Sequence, residues 1–401
     1  LRALGLRVGR YSSPHLVDIT ERISIDGEPI TAERFDELVE TIEPLVALVD
    51  DELIDGVAMT FFEVMTALAY AAFADAPVDV AVVEVGLGGR WDATNIVEAQ
   101  VAVVCPIDLD HTHLLGSTVA EIAAEKAGII KAGSKAVLAA QQPDAARVLL
   151  AQCAEVGAEV LHEGLEFGLI SRAPAVGGQV LRLETAEGPL GDLVLPLFGA
   201  HMAQNAALAV AAAEAFLGGK PLPADVIAEG LEQVRAPARL EVVRRSPTVV
   251  LDTCHNPHGA RATIDGLVEA FDFHPLVCVV AMMADKDVDG VLSILAEAAS
   301  TLVCTSIGST DRALPAEELG GRAAGIVGVD RVRIAPTMAE AIDEAVRLAD
   351  EAGPGAGVLI AGSVYAAGEA RALLVHESPS ASDRSDLVDL GEWAVGEADE
   401  P

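Results

Sequence analysis

Short, strand-length runs of β-branched apolar residues constrain this chain more than any other feature. AVVEV (81–85) and VAVVC (101–105) are too short for helices of a core, and each is followed by glycine or proline and polar residues. Such runs read as interior strands of a parallel sheet, buried on both faces. Similar runs recur at 248–252, 276–281, 301–305 and 357–361, separated by stretches with helical spacing, which repeats βαβ logic in the second half. In parallel sheets ligands gather at the carboxyl ends of strands, where Glu84, Asp108 and His111 would emerge.

The remaining segments follow the same punctuation. Residues 1–10 read as the end of a helix leading into a strand, and ERISIDGEPI as a hairpin about Asp26-Gly27. A helix opens at Thr31 with Glu33 in its first turn, and a second, Ala-rich one follows TFF and ends near Pro77. A strand at 80–85, a glycine loop, a strand at 100–105 and a helix at 118–128 come next, then a strand and helix over 134–152. Residues 158–198 alternate between short runs and Gly turns, as a small antiparallel sheet does. Two helices follow, FGAHMAQNAALAVAAAEAFL and ADVIAEGLEQV. Pro237 and a fresh strand place a domain boundary near 236. From Glu377 the chain turns to Ser, Asp, Glu and Gly, the composition of a disordered acidic tail (377–401).

Length and composition narrow the class. At 401 residues there is material for two cores. Aromatics are only 3%, so Val, Leu, Ile and Ala must fill them. No run of eighteen apolar residues lacks a charge, and no secretory signal opens the chain, so neither a membrane span nor export is expected. The five cysteines are odd in number and lack zinc-like spacing, as buried thiols of a reducing cytoplasm would be. A formal net charge of −36 excludes nonspecific binding to nucleic acid and docking on anionic membranes. With lysine at only five positions, this acidic surface suits a high-salt cytoplasm.

The chemistry concentrates between Val83 and Lys131, which reads VEVGLGGRWDATN, then CPIDLDHTHLLG, then EIAAEKAGIIK. An acid (Glu84), an imidazole (His111) and an amine (Lys126) fall within about fifty residues of one another, beside a glycine cluster suited to close backbone approach by a ligand. An unpaired carboxylate in AVVEV would cost several kcal/mol, roughly, which favours a metal ligand at Glu84 over a plain core acid. GLGGR does not complete GxGxxG and no helix pattern follows directly, so a nicotinamide site is rejected. By themselves these residues define an α/β enzyme with an anion and metal site.

YSSPHL with ERI, TFFE, VEVGLGGRWDATN, DHTHLLG, EKAGIIK, HMAQNAALA, RLEVV, LDTCHNPHGA, DKD and GSVYAAGE follow one another from residue 3 to about 371. In that order they resemble folylpolyglutamate synthase/dihydrofolate synthase, the folate branch of the Mur ligase family; TFFE, GGRWDATN and the SPHL arm set it apart from the cell-wall branch. The resemblance implies a Mur-ligase-like α/β fold. Residues 1–236 would form the ATP- and folate-binding P-loop-type parallel-sheet domain with a small antiparallel sheet, and 237–376 a Rossmann-like glutamate-ligase domain. It implies an ATP-dependent amide ligase, acting as a cytoplasmic monomer. The enzyme would add L-glutamate to dihydropteroate or to (tetrahydro)folate polyglutamates through an acyl phosphate.

The site residues follow from the same resemblance. Ser13, Glu84 and His111 would hold Mg2+, with a turn residue the plain alternative for Ser13 and a structural hydrogen-bonder for His111. Lys126 matches a carbamylated lysine; the alternative is a salt bridge to Glu125, Glu121 or the phosphates. Asn205, Arg239 and Asp252 would contact ATP, although Asp252 could equally cap a helix. His255 would meet the glutamate or the transferred phosphate, and Lys286, Ser363 and Tyr365 the incoming glutamate. Arg90, Asp92, Thr94 and Asn95 would line the pterin and carboxylate side of the cleft. Trp91 stands where the family has leucine and could stack or pack. PARLE replaces PGRLE, putting alanine at a glycine hinge.

No Gly-Lys-[Ser/Thr] turn occurs in the sequence, which opens on Leu1 within a helix-like stretch. The family carries such a phosphate-cradling loop about a dozen residues before the position of Leu1. The chain is therefore expected to continue upstream and, as written, to turn over weakly. The competing reading is a catalytically deficient scaffold that binds folate or a partner.

Overall fold

The computed structural model describes residues 1–52 and 56–375. Strand β1 (Val8–Tyr11) pairs antiparallel with β2 (Ile23–Ile25), which turns at Asp26-Gly27 into β3 (Glu28–Pro29). Helices α1 (Ala32–Glu52) and α2 (Phe61–Asp75) then cross to β4 (Val80–Val83), which runs parallel to β1. Helix α1 buries Phe35, Leu38, Val39, Ile42 and Val46, one stripe at helical spacing. They pack on Val64, Met65, Leu68 and Ala72 of α2. Thr31 accepts from the Arg34 N–H at 3.2 Å, and the Thr60–Glu63 capping box opens α2.

A second sheet contains β5 (Val101–Val104), β6 (Lys135–Leu138) and β7 (Glu159–His162), all parallel. Between β5 and β6 come the single turn α3 (Thr112–Leu115) and α4 (Val119–Ala127), and α5 (Pro143–Val156) joins β6 to β7. Ala136 and Leu138 face α4 and α5, while Val137 faces the opposite core, so β6 is covered on both sides. The 159–162 run therefore extends the parallel sheet rather than opening the antiparallel one. That antiparallel sheet is β8 (Gly168–Ala175), β9 (Gly178–Thr185) and β10 (Gly188–Leu195), covered by α6 (Ala200–Phe216) and α7 (Ala224–Glu232).

Among the described residues β4 and β5 are each the last strand of a separate sheet. Val82 is 48% exposed and Val103 37%. They wall a central cleft of about 2500 Å³, shared with α6 and with the chain around Arg239.

From Ala238 onward the residues belong to two other core clusters. Strands β11 (Glu241–Arg245) and β12 (Thr248–Leu251) lead through α8 (Pro257–Ala270), β13 (Leu276–Val280), α9 (Val288–Ala298) and β14 (Thr301–Cys304). Helix α10 (Ala316–Val327), β15 (Val332–Ile334), α11 (Met338–Ala352), β16 (Gly357–Ala361) and α12 (Val364–Leu374) complete the unit. The sheet order is β11-β12-β16-β13-β14-β15, parallel except for the β11–β12 pair. β13 and β16 are buried along their whole length; Leu276, Cys278 and Val280 face one core while Val277 and Val279 face the other. β11 is the fresh strand expected after Pro237, and the short β15 adds an edge to the predicted strands. The acidic tail expected from 377 lies outside the described residues.

Candidate active site

Glu84 follows β4 directly, and its backbone N–H donates to Tyr11 O at 2.9 Å, so the β1–β4 pairing fixes where the acid emerges. One carboxylate oxygen accepts from the Ser13 N–H at 3.1 Å. The side chain lies on the floor of the concave cleft; water reaches it, yet protein closes in around it. That desolvation pushes its pKa up, against the Ser13 N–H and the Arg239 and Arg10 guanidiniums. An ionised Glu84 is thus underserved by its own surroundings and poised for a further cation.

Lys126, in the last turn of α4, borders this cleft and also a smaller hollow of about 200 Å³ that holds Asp108, Asp110 and His111. Burial pulls its amine pKa down, only partly offset by Cys105 and Asp110. It forms no salt bridge among the described residues: Glu121 is engaged by the Ser117 and Thr118 N–H groups as part of the α4 capping box. Glu125 does not pair with it either, which leaves the phosphates as the ion-pair alternative for Lys126.

His111 sits at φ 47° just before α3, in the left-handed region. Burial lowers its pKa, opposed by Asp110 and reinforced by Lys286, His255 and His113. Asp110 is the residue that sequence reasoning passed over. It accepts from the His111 N–H at 2.8 Å with one oxygen and from Asn256 Nδ2 at 2.8 Å with the other. Burial raises its pKa, but His111, His255 and Lys286 outweigh that and hold it low. Beside it, Asp108 lies 3.2 Å from His258 Nδ1. These carboxylates tie the β5–α4 loop to the LDTCHNP segment 146 residues later. The signal was available in the Asp that directly precedes His111. Arg10 was also missed, and its signal was only indirect: it sits opposite Val82 in the β1–β4 register, two residues before Glu84.

Across the cleft, Arg239 donates through Nη1 to Thr253 Oγ1 and faces Glu84 electrostatically, and Asn205 projects from α6 onto the same cleft. Asp252 is buried and spends both oxygens inside the protein. One accepts from the Leu240 N–H at 3.0 Å; the other accepts from the Cys254 N–H at 2.9 Å and the Thr263 hydroxyl at 2.7 Å. It thereby holds the Arg239 and His255 segments together. His255 Nδ1 lies 3.1 Å from Thr253 O. Ser363 caps α12 and is buried, whereas Tyr365 is 40% exposed.

The loop expected to line the pterin side is held by its own hydrogen bonds, and Thr94 and Asn95 border the cleft. Asp92 accepts from the Leu87 and Thr94 N–H groups and the Thr94 hydroxyl; Thr94 itself is 2% exposed. Asn95 donates to the Arg90 and Gly128 carbonyls, and Lys131 donates to the Asn95 and Val97 carbonyls. Three of the four residues spend their polar atoms on the loop; Arg90 is exposed, and its Nη2 donates to Ala124 O at 3.5 Å. Trp91 does not pack; it is 86% exposed. The glycines admit protein rather than a ligand: a methyl on Gly86 would strike the Phe62 ring, and one on Gly89 would come within 2.9 Å of Glu125 O.

Among the described residues no three His, Cys, Asp or Glu side chains converge to cage a metal ion. Magnesium does not require such a cage, because it keeps waters and takes phosphate oxygens alongside one or two carboxylates. The undercompensated Glu84 carboxylate, with Arg239 and Arg10 nearby, fits that donor pattern.

A parallel-sheet unit whose strand-end acid and lysine face a second α/β unit across a cleft is the architecture of a Mur-type ligase. Residues 238–364 match the model of the Mur ligase glutamate ligase domain. The chain is 47% identical over 395 residues to the dihydrofolate synthase/folylpolyglutamate synthase of Mycobacterium tuberculosis, covering 92% of this chain and 81% of that one. It is 35% identical to the folylpolyglutamate synthase of Lacticaseibacillus casei, over 94% and 85% of the two chains. The M. tuberculosis folylpolyglutamate synthase complexed with ADP and AMPPCP superposes with a TM-score of 0.90 at 48% identity, covering 94% and 86%. The chain belongs to the folylpolyglutamate synthase/dihydrofolate synthase family. These relatives support a ligase and lend nothing to the scaffold alternative. No helix among the described residues is long and apolar enough to cross a membrane.

Proposed function

We propose that this chain uses ATP to join L-glutamate to the carboxylate of dihydropteroate, of (tetrahydro)folate polyglutamates, or of both. The observation that carries the reading is the pairing of Glu84 and Lys126 on one wall of the cleft with Arg239 and Asn205 on the other, within a chain so similar to known synthases. The reaction transfers the γ-phosphoryl group to the carboxylate as the β–γ bridging bond breaks. The glutamate amine then forms the C–N bond, phosphate departs and the nitrogen loses a proton. Such chemistry is driven by charge neutralisation and positioning.

Arg239 and Arg10 supply fixed positive charge for phosphate oxygens, and Asn205 a hydrogen-bonding edge for the nucleotide. Glu84 is the carboxylate that would hold Mg2+, with Ser13 and His111 as further donors; the ion would supply charge neutralisation at the phosphates. Asp252 acts through Leu240 and Cys254, as a positioning group. His255 and Lys286 stand beside Asp110, where an incoming glutamate carboxylate would find cations. Arg90 remains the candidate for the folate side.

The depressed amine of Lys126 suits carbamylation. The neutral nitrogen adds to the carbon of carbon dioxide, and the resulting acid loses a proton to leave a carboxylate-like group beside the Glu84 cleft. We further infer a reducing cytoplasm, a reading supported by the free thiols, and a monomer, with which the strongly acidic composition agrees.

The test is ADP release measured with and without L-glutamate, with dihydropteroate and with tetrahydrofolate, and product masses read in parallel. Release that requires both glutamate and one pterin carboxylate is expected; release indifferent to glutamate would refute the ligase. Native mass should show one added carbon dioxide that is lost in Lys126→Ala. A fully active protein without it removes the carbamate from the reading.

A further inference from the structure

The YSSPHL arm links three parts of the molecule that the reaction does not obviously join. At one end, the Ser13 N–H donates to Glu84. In the middle, the Leu16, Val17 and Asp18 N–H groups all donate to the Glu21 carboxylate, at 2.8, 3.1 and 2.9 Å. Arg22, buried under the Phe61 ring, donates through Nε to His15 Nδ1 at 3.0 Å. The arm is therefore held as a stiff strap. From this same held stretch Leu16 packs against the core of the C-terminal unit that contains Ala366, Ala367 and Ala370 of α12. The Leu16 backbone also lies directly on Gly368. A methyl there would overlap the Leu16 carbonyl oxygen and come within 2.9 Å of its carbonyl carbon. The obstacle is backbone held by the Glu21 network, so it cannot swing aside as a side-chain tip could.

We propose that Gly368 is a positioning residue for ligation: the bare patch it leaves on α12 seats Leu16, and the strap carries the position of the C-terminal unit to the Glu84 carboxylate. This rests on the ligase reading above. Gly368 touches no reacting atom; it sets how close the second unit can come and where the Ser13 N–H holds Glu84.

The test compares Gly368→Ala with Gly321→Ala, a helical glycine of the same unit with open space around it. Two readouts are used on the full chain: steady-state ligation, and hydrogen exchange of the Ser13 and Leu16–Asp18 amides, which needs no turnover. Gly368→Ala is expected to lower kcat about 10- to 100-fold, the scale of an ångström-sized misplacement. KM for glutamate should stay within about threefold, because a misplacement felt only in the reacting geometry leaves ground-state binding largely intact. The arm amides should exchange faster, and Gly321→Ala should change neither readout. Unchanged arm exchange in Gly368→Ala would overturn the proposal, whether or not kcat falls. Faster exchange with unchanged kcat would also overturn it. If the wild type itself does not ligate, the functional reading fails, and the exchange data still show whether α12 seats the strap. If Gly368→Ala does not fold, Leu16→Ala probes the same seat from the arm side with the same outcomes.

Discussion

At the scale of single residues, Glu84 shows a site working against the stability of its own fold. Its folded pKa is raised, so the folded state binds a proton more readily than the unfolded chain. Stability is then lost as pH rises from the ordinary carboxyl range through the folded value, and the neutral-pH protein carries that loss. Glu84→Gln keeps an oxygen for the Ser13 N–H and removes the charge. Thermal melts of the ligand-free protein should show a higher midpoint for Glu84→Gln at pH 7, with the gap closing below about pH 4.5. Ligation should fall by two orders of magnitude or more, roughly, as for other deleted transition-state electrostatics. A variant that melts lower at pH 7 would contradict this account. Ala238, at φ 53° and fully buried in the PARLE turn, carries a second local cost. L-residues pay about 1–2 kcal/mol in that region, and burying the methyl returns about 0.8 kcal/mol. Ala238→Gly should therefore shift urea-unfolding stability by no more than about 1 kcal/mol.

At the scale of elements, α4 matters most, because nine residues orient Lys126. Its start rests on the reciprocal Thr118–Glu121 box, so Thr118→Ala should cost about 1 kcal/mol in urea denaturation. It should also weaken carbamate retention, measured by native mass. Elements such as this were legible in the sequence. Thr118 and Glu121 announce the helix start, Asp26-Gly27 the hairpin, and the Thr60–Glu63 spacing the start of α2. The apolar runs announced strands but not their neighbours. AVVEV and VAVVC carry the same composition whichever strand lies beside them, so strand order was not legible. The polar loop at 90–95 is ambiguous for a related reason. Asp, Thr and Asn suit ligand contact and Asx-type loop building equally well, and the pairing of Asp92 with Leu87 and Thr94 shows the second without bearing on the first. Conversely, the Asp110–Asn256 bridge joins positions 146 residues apart, which no local pattern can announce.

At the scale of the whole molecule, a net charge of −36 against only 26 basic residues makes self-repulsion the dominant long-range term. Several of those cations, among them Arg10, Arg239 and Arg371, line the central cleft, so the remaining surface is more acidic still. The thermal midpoint should climb steadily between about 0.05 and 1 M KCl as the Debye length shrinks from over 10 Å to about 3 Å. A salt-independent midpoint would show that the charge is already dispersed. The distribution of thiols gives the molecule a built-in reporter. Cys153, Cys254, Cys278 and Cys304 are buried, and burial raises their thiol pKa values, that of Cys304 to about 12. Cys105 alone is exposed, at the end of β5 on the cleft wall; desolvation and Glu84 raise its thiol pKa as well, against Lys126, so access rather than acidity sets it apart. An alkylating agent at mildly alkaline pH should therefore add to the native protein once, and bound nucleotide should slow that addition. The chain arrives already carrying a single-site label for occupancy of its own cleft, with no engineered cysteine required.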